Sequence, residues 1–400
     1  MRKVGLELEL LQVAGGRPLE WGEWRRLVEL KLHRLGEVIR DSYTGEPLGV
    51  RAHEGVVGLD SNAGLLELSM EPRRSLDDLL DATEHLYREY LELAAGAGIR
   101  VVWTSQLAPP PGTGEYRRRV ARRGIYGVLW RRWDHRQLMN SAAMQPAIDV
   151  GVEEAGCCML VLAAFTPYLI SRFEDNYMWR LPGVYATRLE LWCRMVPREE
   201  HFRLGLPEFD GSTTGYLREA IWRMKPFLIP LKGKYKYGRV GLPASDTTVG
   251  ELYQKGSPIR VLEKVDFSRL EATFREASSY RPSPEHIDVV GMSFHDAKLR
   301  LKLPSSVELR SLRDLEQAVK QAEKRYIEVR LLGTPKGFKE LEERYELVLQ
   351  LCEHAEELAP LARQLTWREI RENRRLAALR GEVTARYRRA AASMLKQLRR

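Results

Sequence analysis

Two glutamates one residue apart, Glu7 and Glu9, lie in the segment Val4-Gly-Leu-Glu-Leu-Glu-Leu-Leu11. Leu6, Leu8 and Leu10 alternate with Gly5, Glu7 and Glu9, the period-two pattern of a half-buried strand. Both carboxylates then leave one face, about 7 Å apart along the strand. Leu65-Leu-Glu67-Leu-Ser69 repeats the device with one acid and is preceded by Asp60. Ser306-Val-Glu308-Leu-Arg310 puts an acid and an arginine two apart on one face. Any one of these segments could be the solvated side of an edge strand. Together they set Glu7, Glu9, Asp60, Glu67 and Glu308 in apolar sequence, where a buried carboxylate needs an arginine or a cation. Several carboxylates without convergent histidine or cysteine favour a hard ion, Mg²⁺ or Mn²⁺. Acids with a few arginines are the composition of a phosphoryl-transfer site, where metals bridge phosphates and a guanidinium offsets charge.

Other chemistries find less support. There is no GxxxxGK[ST], no GxGxxG after a strand, no GxSxG and no HExxH, which removes the usual signatures of P-loop, dinucleotide, α/β-hydrolase and zinc-protease sites. The four cysteines, Cys157, Cys158, Cys193 and Cys352, show no CxxC spacing, which argues for reduced thiols in a cytoplasmic protein and against zinc. Of the eight histidines only His295, on a predicted strand near Glu308, merits following, and a structural role is its simpler reading.

The elements that must position these residues follow from periodicity. After the first strand, residues 20–38 read as an amphipathic helix, and 55–69 as paired strands carrying Asp60 and Glu67. Ser75 caps a helix running to about residue 95, with Asp77, Asp78 and Asp81 in its early turns. Residues 98–103 form a strand, and 115–136 an arginine-dense stretch. A strand at 141–150 carries Gln145 and Asp149. An apolar helix from 153 ends near Pro167. Residues 205–250, rich in Gly, Pro and Lys, read as a loop covering a site. A short helix is expected at 266–277, strands at 294–303 and 306–310, and helix from 314 onward.

With 44% hydrophobic and 30% charged residues in 400, the chain can bury a sizeable core. No apolar run is expected to span a bilayer, and the N-terminus enters the first strand without a signal-like apolar region. The net charge of +9 equals that of residues 363–400, twelve Lys and Arg against three Glu; the rest is neutral. Polyanion or tRNA contact is therefore confined to that last segment, where Trp367 and Tyr387 interleave with arginines. A solvated amphipathic helix packed on the body explains it equally.

Several of these segments resemble, in order, the glutamate–cysteine ligases, carboxylate–amine ligases with a glutamine-synthetase-like core. Gly5-Leu-Glu7-Leu-Glu9 resembles their opening GxExE strand, and the Asp60 to Pro72 stretch their "D…LLE" segment. Met144-Gln145-Pro-Ala-Ile-Asp149 is similar to a "TxQvNlD" strand, Tyr185-Ala-Thr-Arg188-Leu-Glu-Leu-Trp192 to "lSxRxxxW", Asp246-Thr-Thr248 to a "DTT" stretch, and Val307-Glu308-Leu-Arg310 to "vExR". The resemblance implies an α+β fold, an antiparallel sheet with flanking helices. It divides the chain into a catalytic core at 1–315 and a helical C-terminal segment at 316–400. Glu7, Glu9, Asp60, Glu67 and Glu308 would then hold Mg²⁺ around ATP, and Arg310 and Arg300 would contact its phosphates. Arg310 and Arg188 would act on the reacting groups, with Gln145, Asp149 and Arg188 near the substrates. ATP would phosphorylate a glutamate γ-carboxylate, and an amine such as cysteine would attack the acyl phosphate. Where a "HxH" is common in the bacterial branch, this chain has Met144-Gln145-Pro146. A same-fold phosphotransferase is the alternative within this architecture.

Overall fold

The computed structural model describes residues 2–232, 239–244 and 246–398. Part of the segment expected to cover the site, and the last two arginines of the basic segment, fall outside these residues.

The N-terminal part supplies β1 (Val4–Ala14), β2 (Arg17–Pro18), β3 (Glu37–Arg40), β4 (Pro47–Arg51), β5 (Gly55–Leu59), β6 (Leu65–Met70), β7 (Ile99–Val102) and β8 (Met144–Asp149). Further on come β9 (Leu204–Gly205), β10 (Ile229–Lys232), β11 (Arg239–Pro243), β12 (Ser257–Asp266), β13 (Glu271–Tyr280), β14 (Phe294–His295), β15 (Ala297–Lys302) and β16 (Lys324–Val329). Ten of them form one sheet in the order β15-β16-β8-β1-β6-β5-β4-β3, with β2 and β7 also on β1. Its pairings are antiparallel. A second sheet runs β10-β11-β12-β13. The protein is thus α+β, built on a large antiparallel sheet with flanking helices.

β1 is the spine because its even positions are leucines. Leu6, Leu8 and Leu10 join Leu66 and Leu68 of β6 in the main core, together with Leu79, Leu86 and Tyr90 of the Leu76–Ala95 helix. That helix starts where Ser75 accepts the Asp78 N–H at 3.1 Å, with Asp77 and Asp78 in its first turn.

Several elements differ from the periodicity reading. The helix expected to stop near Pro167 runs from Val152 to Phe173. A proline ring inside a helix opens hydrogen bonds of the preceding turn, and here Tyr387 repairs one of them. Its hydroxyl receives the Tyr168 N–H at 3.3 Å and donates to the Ala164 carbonyl at 2.6 Å. The same helix is long and apolar enough to cross a membrane by length and composition, contrary to expectation, but 78% of its most apolar window is buried inside the protein. It packs against the Phe338–Glu353, Ala355–Ala362 and Trp367–Arg380 helices. Residues 205–250 are not one loop, because they contain the Thr213–Leu217 helix, β10 and β11. The helix expected at 266–277 is a β-hairpin. The Asp266 carboxylate takes the N–H groups of Ser268 and Arg269, which closes a turn, and the chain returns as β13. The expected strand at 306–310 is irregular, squeezed between Pro304 and Ser311, the N-cap of the Leu312–Lys320 helix. Lys324–Val329, inside the stretch read as helical, is instead β16, inserted between β15 and β8.

Candidate active site

On the β1 face opposite the leucines, the register brings the acids together. Glu7 is paired with Gln145 of β8 and with Ser69 of β6, and Glu9 is directly opposite Glu67. Odd positions of β1 and β6 therefore make a carboxylate floor because even ones are committed to the core. Glu7, Glu9, Asp60 and Glu67 line a single cleft with Gln145, Arg188 and Arg300.

Three of the acids are held by specific neighbours. Gln145 Nε2 donates to Glu9 Oε1 at 2.8 Å, and the Ser69 hydroxyl to Glu67 Oε1 at 2.6 Å. Asp60 follows β5 in a turn fixed from the arginine-dense stretch. Tyr126 donates to the Asp60 carbonyl at 2.7 Å and Arg123 to the Leu59 carbonyl, leaving the Arg123 guanidinium 4.0 Å from the Asp60 carboxylate. Buried Arg119 braces the same turn through Asn62, at 3.2 Å, and the Met139 carbonyl, at 2.9 Å. Two arginines of the 115–136 stretch are thus buried clamps on the turn that carries Asp60.

Burial, then Asp60, Glu67 and Glu7, push the Glu9 carboxyl well above the usual carboxylate range, against the pull of Arg188. A like-charged pair directly opposite in a sheet is destabilising. Four carboxylates on one floor without histidine or cysteine among them suit a hard divalent cation.

Farther along the same face of the sheet the cleft turns basic. β15 contributes Lys298 and Arg300, β16 contributes Glu328, and Arg330 follows directly after β16. Arg330 donates to Glu328 at 2.7 Å; the Arg300 guanidinium is 2.9 Å from Asp288 and 3.8 Å from Glu328. Burial, then Arg300, lowers the Lys298 ammonium to about 7. Arg188, on the Thr187–Met195 helix, reaches the Leu331 carbonyl and lies 3.7 Å from buried Glu174. Arg188 Nε and Gln145 Oε1 are buried with no hydrogen-bond partner, unmet polar capacity of the kind that a ligand, ion or water satisfies. The remaining wall is apolar, with Trp133, Trp192, Met292 and Phe294.

Three expected site residues lie elsewhere. Glu308 and Arg310 are exposed on a loop, paired with each other at 2.8 Å, with Arg281 3.7 Å from Glu308. Asp149 ends β8, about 13 Å along the strand from Gln145, opposite Tyr326 and outside the cleft. His295 is buried, and its ring meets the Phe202 carbonyl at 3.4 Å; burial holds its pKa at about 4. The pair in the cleft is Glu328 and Arg330, with the same E-x-R spacing. Its signal was Ile327-Glu-Val-Arg-Leu-Leu332, an alternating strand closed by Gly333-Thr-Pro335. Tyr387 is buried and Trp367 half-buried, rather than both lying exposed among the arginines. Trp367 donates to the Phe209 carbonyl at 2.9 Å and Tyr387 braces the Pro167 helix.

No protein-family model and no curated protein sequence matches the chain. Solved structures do. Glutamate–cysteine ligase from Francisella tularensis, in complex with AMP, superposes with a TM-score of 0.52 at 10% identity, over 99% of this chain and 82% of that one. The complex of the prokaryotic ubiquitin-like protein Pup with its ligase PafA matches with a TM-score of 0.41 at 11% identity, over 99% of this chain and 58% of that one. A bifunctional glutathione synthetase from Pasteurella multocida gives 0.37 at 13%, over 100% and 47%. With its ten-stranded sheet and the superposition over nearly its whole length, the chain has the glutamate–cysteine ligase fold.

Proposed function

We propose that the protein is an ATP- and Mg²⁺-dependent carboxylate–amine ligase that activates a glutamate γ-carboxylate as an acyl phosphate and joins it to an amine such as cysteine. The observation that carries this reading is one cleft lined by both an acid cluster (Glu7, Glu9, Asp60, Glu67) and an arginine set (Arg188, Arg300, Arg330), in a glutamate–cysteine ligase fold.

Glu7, Glu9, Asp60, Glu67 and, in the place expected for Glu308, Glu328 would hold Mg²⁺. The ion would neutralise the phosphate oxygens and orient the nucleotide. Arg330 and Arg300 take the guanidinium role first read at Arg310, offsetting charge on the moving phosphoryl group. The carboxylate oxygen of the donor attacks the γ-phosphorus and ADP leaves. The amine then attacks the acyl carbon, the C–O bond to phosphate breaks, and phosphate departs with its electron pair. Carboxylate oxygen is a poor leaving group and phosphate a good one, so splitting the reaction lowers the barrier. Gln145 and Arg188 have unmet polar atoms with which to orient the substrates. The aromatic wall limits water, which would hydrolyse the acyl phosphate. The four free cysteines suit a cytoplasmic location.

The test is phosphate release from ATP and Mg²⁺ across a panel of amino acids and amines, with Glu67→Gln as control. Release that needs a carboxylate and an amine together supports the ligase. Transfer to one acceptor without condensation would favour the phosphotransferase, and no turnover with any pair would refute both.

A further inference from the structure

A second cluster of ligand-type side chains lies away from the cleft, where the β4–β5 turn meets the Leu76–Ala95 helix. His53 and Glu54 occupy that turn, and His85 projects from the helix. His53 Nε2 is 3.1 Å and His85 Nδ1 3.9 Å from the same oxygen, Glu54 Oε1. One ligand atom from each of the three falls within 4.8 Å of the others. The other Glu54 oxygen is already used, since Arg73 pairs with Oε2. The carboxylate is therefore oriented from behind by a guanidinium, with its free oxygen turned to two imidazoles.

The backbone of this turn is fixed. Ala52 N–H donates to the Gly55 carbonyl at 2.9 Å, and Glu71 N–H to the Glu54 carbonyl at 3.0 Å. The imidazoles, by contrast, are 62% and 56% exposed and free to adjust. Metal–ligand bonds of about 2.0–2.1 Å place tetrahedral ligand atoms about 3.3 Å apart. Two imidazoles and one carboxylate oxygen suit a borderline cation of the Zn²⁺, Co²⁺ or Ni²⁺ type and leave a position for water. An ion–pair reading of the same contacts requires charged imidazoles, whereas a metal requires neutral ones.

We propose that His53, Glu54 and His85 form a surface site for a borderline divalent transition cation, chemically distinct from the all-carboxylate floor of the cleft. The ion would tie the β4–β5 turn to the helix, with Arg73 as the positioning residue behind Glu54.

The experiment uses the full chain with saturating Mg²⁺, so that hard-cation sites are filled, and titrates Zn²⁺ by calorimetry and Co²⁺ by visible absorption. The wild type should bind one equivalent of Zn²⁺, and Co²⁺ should develop the intense bands of a low-coordinate site. His85→Ala should weaken binding at least about tenfold, and the His53→Ala/His85→Ala double variant should abolish it. Both histidines are exposed, so these variants fold, which circular dichroism checks. Glu67→Gln should bind Zn²⁺ as the wild type does. Equal affinity in wild type and double variant, no binding by the wild type, or loss of the equivalent in Glu67→Gln would each overturn the site.

Discussion

Glu9 faces Glu67 across the β1–β6 ladder, two buried carboxylates held by Gln145 and by the Ser69 hydroxyl respectively. A like-charged pair in this position is destabilising until a cation relieves it. Glu67→Gln should therefore melt at or above the wild-type temperature without metal and lose the rise that Mg²⁺ gives the wild type. Paired thermal melts with and without Mg²⁺ check this; a variant destabilised in both conditions would make Glu67 structural.

Arg330 and Arg310 share the E-x-R spacing and have opposite surroundings. Arg330 lines the cleft beside Glu328, while Arg310 is 73% exposed on a loop. A lysine cannot reproduce the guanidinium fork. Arg330→Lys should lose on the order of 100-fold in turnover, the scale of one preorganised donor, and Arg310→Lys should keep near-wild-type activity. Steady-state kinetics of the two variants decide between the two segments.

Tyr387 ties the basic C-terminal helix to the turn opened by Pro167. Tyr387→Phe leaves a buried carbonyl and N–H without that bridge and should cost about 1–3 kcal/mol in urea unfolding. Salt-independent loss would confirm that this helix is anchored by packing and hydrogen bonding.

His135 and His295 are both buried, and burial lowers each to about 4. In the unfolded chain they take protons near 6.5, so between pH 6.5 and 4 the unfolded state binds more protons. Stability is then full above 6.5 and falls with acid, each histidine adding up to about 1.4 kcal/mol per pH unit. Replacing His135 with Gln should flatten the acid limb of the unfolding free energy measured against pH; an unchanged slope would mean that His135 is protonated in the folded protein.

The acid floor was legible because a strand committed on one face leaves the other readable. Leucines at 6, 8 and 10 fixed where Glu7 and Glu9 point, and Leu66 and Leu68 did the same for Glu67. The basic side was not, because two E-x-R segments compete and only their flanks separate them. Residues 306–310 sit between Pro304 and a helix cap, too short to enter the sheet, whereas Glu328 is carried by Ile327 and Val329. The helix expected at 266–277 failed because the Asp266 side chain closes a tight turn there, as an aspartate can. Tertiary repair of Pro167 by a residue 220 positions later has no local signal at all.

The central claim is that the cleft binds ATP through metal held on the carboxylate floor. Calorimetric titration of the full chain with ATP, with and without Mg²⁺, tests it most directly. The account predicts binding that requires Mg²⁺ in the wild type, is lost in Glu67→Gln, and is retained in Glu308→Gln. Absence of binding in the wild type, or binding of equal strength in Glu67→Gln, would contradict it.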